Sequence, residues 1–151
     1  GYTKFQIGLA LFFFLFLGGF GSLLSPKFEK IIGTANVFYI SMIITCPLMF
    51  LFMLTYKTCP VASFVIFAIM GFVTMFATPI TMSMAQKVLP QYKSIIGGFI
   101  NGFSWGIVAI AMTIIGFVAQ STSIMSVLVI ISIIPAVFSV FVKYLFQEEN
   151  V

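Results

Sequence analysis

The chain contains no histidine, no aspartate and no arginine. Those absences remove most metal-ligand sets and every catalytic triad built around an imidazole. Charge of either sign is scarce, at 7% of residues, whereas a soluble domain carries roughly 25% to cover its surface. The two cysteines, Cys46 inside an apolar run and Cys59 at the end of the turn that follows, would be held apart by the intervening helix, and both read as unpaired. They are also too few for a zinc site, and no cofactor or metal is expected.

What is present is apolar. Hydrophobic residues make up 62% of the 151 residues and the mean hydropathy is +1.24, so the solvent for most of this chain is lipid. The net charge of +4 comes from seven lysines set against three glutamates. The lysines fall singly or in pairs between apolar runs. They read as topology signals and form no basic patch for nucleic acid.

Five apolar segments emerge, at about 5–24, 35–55, 60–84, 95–119 and 123–146. Each is long enough, at about 1.5 Å rise per residue, to cross roughly 30 Å of hydrocarbon. Backbone amides in lipid must find partners within the chain, and continuous runs without strict alternation favour helices over a barrel. The fold class is therefore all-α: a polytopic membrane protein of five transmembrane helices forming a single transmembrane domain over residues 1–151. The first run lacks a small-x-small cleavage site. It reads as a membrane helix and not as a signal peptide, in a fragment that begins between two spans.

Placing Lys27, Lys30, Lys87, Lys93 and Lys143 on the cytoplasmic side leaves only Lys4 and Lys57 outside. The N-terminus is then outside, and the tail with Glu148 and Glu149 is inside, in a cell inner (plasma) membrane. Tyr2, Tyr56, Tyr92 and Tyr144 fall near the predicted interfaces, where a phenol keeps its hydroxyl wet.

Polar content is concentrated between Thr74 and Trp105. Thr74, Thr78 and Thr81 recur at i, i+4 and i+7, which would stack three hydroxyls on one helical face, and Pro79 among them predicts a bend. The threonines either bond carbonyls one turn back to relax that bend or line a polar cavity. In the fourth segment Gly98, Gly102 and Gly106 are spaced by four, a doubled GxxxG that admits another backbone. Asn101 and Trp105 lie beside that stripe, one turn apart. Asn101 must face protein or water, as an interhelical hydrogen bond or a substrate contact. Trp105 sits too deep for an interfacial belt and is expected in the protein interior or beside a cavity.

Gln6 is the one interior amide of the first segment, near its outer end. That segment closes on Gly18, Gly19 and Gly21, which either admit a close neighbour or fray before a turn at Ser25 and Pro26. The second and fifth segments offer little polarity, and a largely lipid-facing role is expected for both. Apart from Lys143 near the cytoplasmic end of the fifth, no Asp, Glu, Lys or His lies inside any span, so no proton relay is visible. With no acid pair or Ser–Lys dyad in the membrane, the chain is not expected to be an enzyme.

The run from Phe76 to Gln120 resembles the last cytoplasmic hairpin of the major facilitator superfamily, and is most similar to the fosmidomycin-resistance branch. Pro79, Thr81, Ala85, Gln86, Leu89 and Pro90 carry a P-x-T-x-x-x-A-Q-x-x-L-P stretch; Gly98, Gly102, Trp105 and Gly106 carry the glycine-rich helix after it. The five segments would correspond to helices eight to twelve of a twelve-helix transporter, a partial C-terminal half. Gly18, Gly19 and Gly21 followed by Lys27, Glu29 and Lys30 are similar to the family's gating loop, with Glu29 where a glycine is expected and no Asp or Arg.

The resemblance implies drug efflux by proton antiport. A small-molecule substrate would be held by Asn101, Trp105, Thr74, Thr78, Thr81 and Gln6, and the N-terminal transporter half and the lipid bilayer would be partners. Five helices do not make two rocking halves, so the fragment alone is expected to be inactive. A membrane scaffold or assembly subunit is the alternative.

Overall fold

In the computed structural model the described residues are 2–147, with side chains described as far as Phe141. Glu148 and Glu149 lie outside them. Helices follow one another as α1 Lys4–Ile32, α2 Thr34–Thr55, α3 Pro60–Thr74, α4 Ala77–Val88, a short 3-10 turn Pro90–Tyr92, α5 Lys93–Ser121 and α6 Ile124–Gln147, with no strand among the described residues. Five spans are long and apolar enough to cross a membrane, the third being α3 and α4 taken together as Pro60–Val88. At most 22% of the apolar window of any span is buried. So much exposed hydrocarbon is compatible with a multi-pass membrane protein.

Helix α1 starts on a capping box. The Thr3 hydroxyl accepts from the Gln6 amide at 3.3 Å while Gln6 Oε1 accepts from the Thr3 amide at 2.9 Å. It does not end near residue 24 but continues through Pro26 to Ile32, so Lys27, Glu29 and Lys30 are helical and not in a loop. A proline is tolerated there because neighbouring segments, and not propensity, hold this stretch in place. The stop is Gly33, whose φ of 84° is open to glycine and strained for other residues. Its amide bonds Glu29 O at 2.9 Å. The Glu29 carboxylate accepts from Thr34 Oγ1 at 2.9 Å, across the α1–α2 connection.

The chain divides into two compact units, Gly1–Ile80 with Ser132–Val151, and Thr81–Ile131. In the first, α3 lies against both α1 and α2. Phe67 on α3 is the hinge of that arrangement, its ring 4.8 Å from Phe14 on α1 and 5.4 Å from Phe52 on α2. Close approach comes from small residues. A Cβ on Gly21 would fall on the Phe72 carbonyl oxygen, one on Gly71 would fall on that of Phe14, and one on Gly18 would stand 2.7 Å from the Met75 side chain. Of the two readings of this glycine group, packing holds for Gly18 and Gly21. Gly19 has nothing within 4 Å. In the second unit α5 buries none of its residues, and the end of α4 meets its start where Met82 and Gln86 stand 3.7 Å from a Cβ built on Gly97. Both cysteines are free.

Candidate functional site

The third span is interrupted. Helix α3 ends at Thr74 and α4 begins at Ala77, so the break falls near the middle of the 29-residue span Pro60–Val88. Proline is the cause. Pro79 has no N–H to give the carbonyl four residues back, that of Met75, and its ring would clash with it. The freed Met75 carbonyl, and the Phe76 carbonyl next to it, are both bonded from α1. Ser22 Oγ donates to Met75 O at 3.0 Å and Ser25 Oγ donates to Phe76 O at 2.7 Å, with Ser25 fully buried. Hydroxyl capture of orphaned carbonyls is what lets a helix break at membrane depth.

This break corrects one expectation. Thr74, Thr78 and Thr81 do not share one continuous face, because Thr74 closes α3 and the other two belong to α4. Thr74 Oγ1 bonds Met70 O at 2.9 Å and Gly71 O at 3.2 Å, the carbonyl-relaxing role of the two that were open. Thr78 and Thr81 are exposed on α4. On α5, Asn101 is exposed and Trp105 is 71% exposed, and Gly98, Gly102 and Gly106 have nothing within 4 Å of an added Cβ. The expected interior position of Trp105 is therefore not found among the described residues.

A second feature lies at the opposite end of the first unit from Gly33. A groove of about 540 Å³ opens between the start of α1 and the α2–α3 turn. Gln6 lines it, as do Tyr2, Tyr56 and Ser63. Tyr2 Oη donates to Tyr56 O at 2.7 Å and lies 3.2 Å from Ser63 Oγ. Lys57 Nζ stands 5.5 Å from the centre of the Tyr56 ring, within cation–π range. Sequence patterning marked Tyr2 and Tyr56 as interfacial and Lys57 as a topology charge. It had no means of bringing them together, since residues 2 and 56 meet only through the packing of α1 on α3. Ser22 escaped notice for the same reason, and Ser25 read only as part of a turn.

Compared with protein-family models, curated proteins and solved structures, the chain finds no match. The functional reading rests on the residues and their geometry.

Proposed function

We propose that the chain is part of a secondary transporter of the major facilitator type, with the interrupted third span at its substrate pathway. The observation that carries this is the break at Met75 and Phe76, halfway along an apolar span, with both carbonyls bonded by serines of another helix. Discontinuous spans with irregular backbone near the midplane are a recurring device of transporters, where they sit beside the cavity. The resemblance of the 76–120 run to the fosmidomycin-resistance branch agrees with it and suggests efflux of a small anionic or amphipathic drug by proton antiport. Within the second unit, Asn101, Trp105 and Thr81 are the residues we assign to the cavity once a second set of helices covers α5. The orientation has the N-terminus outside and the Lys27, Lys87 and Lys93 ends in the cytoplasm of an inner membrane.

The test is drug resistance in a sensitive host. The chain alone should give no protection against fosmidomycin; co-expressed with an N-terminal major facilitator half of the same branch, it should. Protection by the chain alone would overturn the fragment reading. No protection from the co-expressed pair, with both chains in the membrane, would overturn the transporter reading.

A non-transporting assembly subunit is the second reading, favoured by the open glycine stripe of α5. Gly102→Ile separates the two. A subunit of that kind would stay folded and lose its partner in cross-linking, whereas a transporter half would fail to assemble with its own missing helices and lose resistance.

A further inference from the structure

The groove at the head of α1 is divided by chemistry along its length. Its body is hydrocarbon and aromatic, walled by Ile7, Ala10, Leu11, Phe52, Phe64 and Phe67. Its mouth is polar, where Tyr2, Gln6, Tyr56 and Lys57 converge. The volume of about 540 Å³ falls within the range of ligand sites, roughly 300–1,000 Å³. Every group at the mouth that carries charge is positive. Lys57 is exposed there, and among the described residues no carboxylate joins the lining. The one glutamate among the described residues, Glu29, is at the far end of α1 and bonded to Thr34. Gln6 spends its Oε1 on the capping box, which leaves its Nε2 as a donor with no partner among the described residues.

We propose that this groove seats an anionic phospholipid of the bilayer, with one acyl chain along the phenylalanine wall and the phosphodiester at Lys57 Nζ and Gln6 Nε2. Three physical points lead there. A groove open to the side of an apolar bundle is filled by the hydrocarbon around it, so an acyl chain is the default occupant of its body. Two tyrosines line that end, Tyr2 with its hydroxyl on the Tyr56 carbonyl, and mark it as the headgroup zone, which puts the mouth at phosphate depth. A lysine with no carboxylate partner among the described residues in that zone favours a net-negative headgroup over a zwitterionic one by roughly fivefold. A small free anion would make no use of the wall. The seat is independent of the transport reading, since it needs only the first unit and a bilayer.

The 151-residue chain, purified in a mild detergent, is to be titrated with dioleoylphosphatidylglycerol or dioleoylphosphatidylcholine and the retained lipid counted by native mass spectrometry. The expected result is about fivefold better retention of phosphatidylglycerol. Lys57→Gln should bring the ratio to near one, Lys57→Arg should keep it, and Ala10→Phe should lower retention of both lipids together by filling the groove. Equal retention by the unsubstituted chain, an unchanged ratio in Lys57→Gln, loss of the preference in Lys57→Arg, or undiminished retention in Ala10→Phe would each overturn the proposal.

Discussion

Ser25 is fully buried in a chain that buries little, and its hydroxyl donates to Phe76 O at 2.7 Å. Removing the hydroxyl takes away a bond that ties α1 to the break in the third span, and side-chain hydrogen bonds between membrane helices contribute roughly 0.6–1.7 kcal/mol. Ser25→Ala should destabilise the first unit by about that amount, read as a lower midpoint of unfolding in mixed detergent. Gly71→Leu should do more damage, because the added side chain meets the Phe14 backbone and not a movable side chain. Overpacking of that kind costs about 1–3 kcal/mol or more, and here it should separate α1 from α3. A Gly19→Leu control, with open space around it, should be neutral.

Among the elements, the existence of five apolar helices was legible because bilayer thickness dictates their length, and runs of about 20 hydrophobic residues have no other common use. Their ends were less so. Residues 25–32 carry a proline and three charges, which read locally as a turn, yet α1 passes through them because Ser25 and Gly21 lock it against the third span. The bend at Pro79 was visible, but its form was not: the groups that stabilise a full break come from serines more than fifty positions earlier. Pro79→Ala tests the cause. It restores an N–H for Met75 O, so α3 and α4 should fuse. Spin labels at Val65 and Val88 should then show a longer and narrower distance distribution, approaching the ~1.5 Å per residue of a straight helix. An unchanged distribution would mean that Ser22 and Ser25 alone impose the break.

At the scale of the whole molecule the two native cysteines give a topology assay without any substitution. Cys59 is exposed in the α2–α3 turn and Cys46 lies within α2. A membrane-impermeant maleimide added to intact cells should label Cys59 and spare Cys46 if the turn faces outward as proposed. Labelling only after the cells are opened would reverse the orientation. The candidate site was legible in part, and for a physical reason. Threonine, asparagine and tryptophan stand out against an aliphatic background, whereas the groove at Tyr2 and Lys57 is assembled from residues ordinary in isolation.

Between α1 and α2 the chain spends a single residue, Gly33. That leaves no slack for the two spans to enter the bilayer one after the other as separate events. During synthesis the pair must be delivered as a helical hairpin, with α1 held back until α2 has emerged and both committed together. Orientation then becomes a joint property of the pair: an added charge at either free end of the hairpin turns both helices over or neither, and an epitope tag placed at position 33 would disturb biogenesis before it disturbed the finished fold.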